Sequence, residues 1–484
     1  CGGGGNGGFA FSGSVGPTGE NTSVNIGLTV GGFGGSGGTA DDVSVTNNGL
    51  ITTFGDNANG IAAQSIGGGG GNGGSALTGQ IAAGDPQAGG RAVNVAASVG
   101  GFGGDGNTAG TVYVEQSGGI QTFGDGSNGI FAQSIGGGGG MGGGANSLSL
   151  QLASSCTFTL PFGLPKIGSC AAPKKPSVNV QVDVGGEGGT GNDGNTVTVI
   201  NHDYITTQGE ASSGIYAESI GGGGGTGGQA IVGLKGLFSG AEYFDYATLA
   251  TLPISTTGFA QALGKVTVGG FGGAAGDGGE VDVTNEGVIQ TTGGDSYGIF
   301  AQSIGGGGGS GGNAASGVTG LASIGGFGNA SGKGGDVTVL NKLGADITTE
   351  GTASDAILAQ SVGGGGGNGG TAGGLIAVGG LGGASGGGGT GEVTNDAHLQ
   401  TSGLLATGIL AQSIGGGGGN GGGTGLSGVA IGGEAGVLGS TGDGGAVTVH
   451  NDGTATILTQ GDLANGIEAQ SIGGGGGKGG GNSL

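Results

Sequence analysis

Seven times the chain spells nearly the same phrase, Gly-Ile-x-Ala-Gln-Ser-Ile followed by five glycines, with its serine at Ser65, Ser134, Ser219, Ser303, Ser361, Ser413 and Ser471. The serines are 69, 85, 84, 58, 52 and 58 residues apart. A phrase that returns at such intervals marks a repeat array, in which each unit buries its apolar face against its neighbours. Length alone predicts about three domains of ~150 residues. A stack shares one continuous core, so residues 1–484 are expected to form a single repetitive domain. Its units end near 74, 143, 228, 312, 370, 423 and 481.

Within each unit the apolar residues alternate. Val43/Val45, Val112/Val114, Val197/Val199, Val281/Val283, Val337/Val339 and Val447/Val449 are each separated by a polar or larger residue, the period of a strand. The following segment pairs an aliphatic residue with a threonine two positions on: Ile51 with Thr53, Ile120 with Thr122, Ile205 with Thr207, Ile289 with Thr291, Ile347 with Thr349, Leu399 with Thr401, and Ile457 with Thr459. Residues i and i+2 share a face. Stacking therefore predicts one aliphatic ladder and one threonine ladder, both directed inward. Between these segments stands Asn47, Asn201, Asn285, Asn341, Asn395 or Asn451, with Gln116 taking the place once. Asparagine suits a turn, and in register its amide can pair with the copies above and below. No helical period occurs, and the glycines would be costly in a helix.

Glycine accounts for 147 residues and proline for 7, without an unbroken Gly-X-Y register, so collagen is excluded. Many tracts instead run as Gly-Gly-X triplets, as at 30–38 and 66–74. Three residues per turn is the period of polyproline II geometry. Two edges of such a helix are bare backbone and can approach neighbouring helices. The third carries X, here Phe33, Phe102, Phe271, Phe327 or Leu381, toward a core or a rim. The expected fold is an all-β parallel solenoid of about seven rungs, each combining short strands with glycine-rich polyglycine II segments.

Length variation falls at three insertions, 75–92, 145–177 and 229–264. Insertions at one place per unit project from one face of a solenoid. Phe158, Phe162, Tyr243, Phe244 and Tyr246 lie there and are candidate contact residues. Cys156 and Cys170 flank a short loop that a disulfide would close in an oxidising compartment; two free thiols are the alternative. Cys1 either begins a lipoprotein or replaces one glycine of a preceding tract. The echo of 142–148 at 479–484 favours the second reading, a cut inside a longer array.

A net charge of −23, with nine Lys and Arg, argues against nucleic acid and anionic membranes as partners. No apolar run reaches the ~20 residues of a membrane-spanning helix. His202, His398 and His450 occupy separate units without metal-ligand spacing. No nucleophile elbow or phosphate-binding Gly-Lys-Ser/Thr is present. No metal, cofactor or catalytic residue is expected.

The phrase Asn-x-Gly-x-Ile-x-Thr-x-Gly…Gly-Ile-x-Ala-Gln-Ser-Ile-Gly-Gly, plainest at 285–309, resembles the passenger repeats of large bacterial autotransporter-type adhesins. The long glycine tracts are similar to the polyglycine II bundles of glycine-rich antifreeze proteins and of a phage tail-tip adhesin. The first resemblance implies display outside a Gram-negative cell, anchored through a part not present here. The expected function is a non-catalytic stalk, filament or adhesin shaft, with copies of itself or a cell-surface ligand as partners. The rival is a binding module: a phage-fibre-like receptor or carbohydrate binder, or an ice-binding protein using its threonines.

Overall fold

The computed structural model describes residues 2–18, 23–84, 92–153, 178–232, 264–317, 320–425, 427–436 and 442–482. Every regular element among them is a strand, and all pairing is parallel. The first full rung contains β1 (Ala10–Thr18), β2 (Ser23–Val30), β3 (Val43–Asn47), β4 (Ile51–Thr53) and β5 (Ile61–Ile66). Each strand founds a sheet built from its equivalents in later rungs. The β1 sheet has six strands and the other four have seven. Equivalent letters sit over each other, as in Ile61–Ile130–Ile215 and Ile289–Ile347–Leu399. The chain is a parallel β-solenoid of seven rungs.

The β3, β4 and β5 sheets surround the aliphatic core. Val112, Val114, Ile120, Ile130 and Ala132 of one rung are fully buried, and the same columns continue through Val393, Leu399, Ile409 and Ala411. Polar columns close the corners. At the β3–β4 corner Asn201, Asn285, Asn341, Asn395 and Asn451 form a ladder, each Nδ2 donating to the next Oδ1 at 2.7–2.8 Å. Asn47 lies outside it: Gln116 intervenes, and Asn47 Nδ2 donates to Gly49 O of its own turn instead. The inner atoms Gln116 Nε2 and Asn201 Oδ1 are left without partners.

The threonines line the β4–β5 corner, inward as expected. Thr122, Thr207, Thr291, Thr349 and Thr401 are fully buried, and Thr53 and Thr459 in the end rungs are half-buried. They stack in register but do not bond along the stack. Each hydroxyl donates to the carbonyl five residues on in its own rung, as Thr122 does to Ser127 and Thr401 to Ala406 at 2.6 Å, which clamps the turn. The serine of the recurring phrase does the reverse. Ser134 Oγ donates to Gly110 O and accepts from the Asn195 amide of the next rung, both at 2.9 Å, so it staples two layers. That bridge explains why every copy keeps a serine.

The glycine tracts leave β2 (31–41) and β5 (67–75) and lie side by side. Their hydrogen bonds repeat every three residues. In each triplet one amide bonds along the stack, as Gly70 does to Gly138 O (2.8 Å). The next bonds across to the other tract, as in the series Gly101 to Gly74 (2.9 Å), Gly74 to Gly32 (2.7 Å) and Gly32 to Gly8 (2.9 Å). The third position, X, faces out. Phe33, Phe102 and Phe271 are exposed, so this edge is a rim and not a core. Phe33 stacks on Phe102 at 5.2 Å and Phe271 on Phe327 at 5.0 Å.

Two neighbouring glycines separate the causes of glycine here. A Cβ on Gly137 would lie 2.1 Å from Gly68 O, whereas one on Gly138 would meet nothing closer than 3.5 Å. We expect Gly137→Ala to lower stability by about 2 kcal/mol or more, as an overpacking change does, and Gly138→Ala to stay within about 0.5 kcal/mol; denaturant unfolding of the two variants reads the difference. Gln116→Asn should join Asn47 to the ladder and raise stability by about 1 kcal/mol, visible as a higher unfolding midpoint.

Candidate contact surface

Two of the five sheets stand apart from the aliphatic core. The β1 and β2 sheets pack face to face as a fin that continues the two layers of glycine tracts. The fin is broad at one end and narrow at the other. Its β2-type strands run Ser23–Val30, Ala92–Val99 and Val178–Val184, then shrink to Lys265–Val268, Ala322–Ile324, Ile376–Val378 and Val429–Ile431. The segments expected to be insertions at 75–92, 145–177 and 229–264 begin as fin strands: Ala76–Gly84, Ala145–Ala153 and Ala230–Val232.

Polarity in this fin is inverted. The β2 strands alternate strictly, and the polar set faces in. Asn25, Asn94 and Asn179 form a side-chain ladder at 2.8–3.0 Å. Thr29, Ser98, Asp183, Thr267 and Ser323 follow in one inward column, all buried. The β1 sheet answers with Thr78, Gln80 and Ser147. Thr29 and Thr78 hydroxyls meet at 2.6 Å, Ser98 donates to Thr78 at 2.9 Å, and Gln80 Nε2 donates to Val95 O at 2.6 Å. The gap between the sheets is narrow and hydrogen-bonded, so it stays closed without large apolar side chains.

The apolar set therefore faces out. One column reads Val30, Val99, Val184, Val268, Ile324, Val378, Ile431, and the adjacent one Leu28, Ala97, Val182, Val266, Ala322, Ile376, Val429. Ile26, Val95 and Val180 add a third column on the broad part, and Val24, Val93 and Val178 a fourth. The strip holds no charged residue, and the phenylalanine rim adjoins it. Even in interior rungs Val182, Phe102 and Phe271 are exposed. The nearest carboxylates on the rim are Glu187 and Glu434, which take the phenylalanine place in two rungs. A contiguous apolar strip of this kind on a chain carrying a net charge of −23 is the candidate contact surface.

Sequence reasoning missed this strip. The alternation in Val178-Asn-Val-Gln-Val-Asp-Val184 was available, but the usual assumption that the apolar face is the inner one points it the wrong way. The contact residues proposed from sequence, Phe158, Phe162, Tyr243, Phe244 and Tyr246, lie outside the described residues, as do Cys1, Cys156 and Cys170.

Two of the histidines join contacts between rungs. His202 Nδ1 lies 2.7 Å from Glu286 and its Nε2 lies 3.5 Å from Glu115, while Lys342 pairs with the other Glu286 oxygen. The row spans four rungs along the β3–β4 turn. Hydrogen bonds from Lys342 and His202 hold the Glu286 carboxyl below its ordinary range. His398 Nδ1 meets Thr456 Oγ1 of the next rung at 2.6 Å. Among the described residues no group of three His, Cys, Asp or Glu converges as a metal site, and no helix is long and apolar enough to cross a membrane. No family model, curated protein or solved structure matches the chain.

Asp183 is the unusual acid. It lies inside the fin, with Oδ2 accepting from Ser147 at 2.9 Å and Oδ1 without a partner. Burial outweighs the Ser147 hydrogen bond and pushes its pKa up to about 7. The nearby Lys265 ammonium is also disfavoured by burial, although Asp183 partly offsets this. A raised carboxyl pKa means that the folded state binds the proton more tightly than the unfolded one. Stability from this group is full below about pH 4 and is lost as pH rises toward 7. We expect wild type to lose on the order of 3 kcal/mol from this group across that window. Asp183→Asn should make the slope shallower and leave the part due to Asp355, whose carboxyl burial pushes up to about 6; unfolding midpoints at pH 4.5 and 8 measure it.

Proposed function

We propose that this chain is a non-catalytic structural element of a cell-surface protein, a rigid shaft built by stacking. The observation that carries the reading is the unbroken register. Seven copies lie in phase through four sheets, and the glycine tracts are bonded both along and across the stack. Rigidity follows because no rung can turn without breaking several ladders at once. The acidic surface suits display beside an anionic cell envelope. The resemblance of the repeat phrase to autotransporter-type passengers supports an outer-membrane anchor supplied by another part of the protein.

A binding module is the second reading, and the exposed apolar strip favours it. An ice-binding version that relies on the threonine column has no surface to use, since those threonines are buried or half-buried at an inner corner.

Antibodies raised against the purified chain test the display reading on intact source cells. We expect labelling without permeabilisation, and loss of the epitope after brief protease treatment of whole cells. Labelling that requires permeabilisation overturns it.

A further inference from the structure

We propose that the outer face of the β2 sheet is an interface between two copies of this chain, packed sheet against sheet. The strip has the extent such a contact needs. Seven rungs at about 4.8 Å make it roughly 30 Å tall, and eight strand residues at about 3.3 Å make it roughly 26 Å across at its broad end. Allowing for the taper, each copy offers on the order of 570 Å², so a pair buries about 1,100 Å², just above the ~1,000 Å² that a specific interface needs.

The fold explains why a second sheet belongs there. A sandwich ordinarily has its apolar side chains between its sheets. Here the paired β1 and β2 sheets enclose polar side chains and present Val95, Val180, Val182, Val184 and Val268 to the outside. A second β2 sheet laid over the first, about 10 Å away, turns two inside-out fins into one four-layer slab with an apolar centre. The twist of the two faces is identical, so they pack aligned.

The choice of a second copy over other occupants rests on spacing and charge. The apolar columns recur at the strand spacing in every rung, and another copy repeats its own columns at the same rise, so one good contact is made several times. The strip carries no Lys or Arg to meet lipid headgroups. It also excludes the carboxylates that give the chain its charge of −23, so pairing places no charge of the strip in a dry interface. Repulsion between the rest of the two surfaces remains, and salt screens it.

Sedimentation velocity of the chain across a concentration series, in 0.1 and 0.5 M sodium chloride, tests the proposal. We expect a reversible dimer that tightens at the higher salt. Val180→Lys with Val182→Lys should weaken it by at least about 100-fold, while Ala62→Lys, on the exposed face of β5, leaves it unchanged. Should the lysine variant fail to fold, as judged by circular dichroism, Val182→Thr with Val184→Thr keeps β-branched strand residues and should still weaken pairing measurably. A monomer at all concentrations in both salts overturns the interface. So does a dimer indifferent to the Val180, Val182 and Val184 changes, or a monomer that instead co-sediments with phosphatidylcholine vesicles. None of these outcomes depends on where the protein is displayed, so failure here is distinct from failure of the shaft reading.

Discussion

Backbone pressed directly on backbone is the constraint from which the rest of the molecule follows. In the two tracts the chain approaches its neighbours so closely that an added Cβ at most positions would lie about 2 Å from a carbonyl oxygen, as at Gly137, Gly140 and Gly189. Glycine loses more backbone entropy on folding than any other residue. The compensation is that the tract amides facing the stack and the opposite tract are bonded, and that each bonded layer is the template for the next. This contact sets both the spacing and the phase of the rungs. The strands on either side inherit that phase, which is why isoleucine meets isoleucine through the whole core.

Polar residues do much of the locking. Asparagine, threonine and serine occupy the three corners of the core, yet they act in different directions. The asparagines bond along the stack, the threonines close a turn within one rung, and the serines tie each rung to the next. A corner cannot be filled by aliphatic side chains alone, because the backbone there leaves sheet pairing and its amides need partners. In the fin the same logic reaches its limit: hydrogen-bonded side chains occupy the space between two sheets, and the hydrocarbon is left on the outside.

The solenoid class, the strand positions and the inward threonine column were legible in the sequence, because period-two alternation and a fixed register determine them. The division of each rung into strands and glycine tracts bonded every third residue was legible from the triplets. Three things were not. The asparagine ladder stops at Gln116, since its longer side chain leaves its Nε2 and the Asn201 Oδ1 unjoined. The threonine hydroxyls turn to their own rung, which depends on a five-residue turn whose shape no pattern encodes. The fin is inverted, and alternation reveals that a strand has two faces without revealing which one is covered. Val182 and Asp183 show the point: nothing local tells that the carboxyl is the buried member of the pair.

The serine staples and glycine bonds all connect a rung to its immediate neighbours and to nothing farther. Pulled by its two ends, such a molecule would unspool from its termini and release one complete coil at each rupture. Each coil holds 52 to 85 residues, or about 190 to 310 Å of slack at ~3.6 Å per residue. The order of long and short coils is written in the chain. Tension would therefore be met by a series of unequal, sacrificial lengthenings.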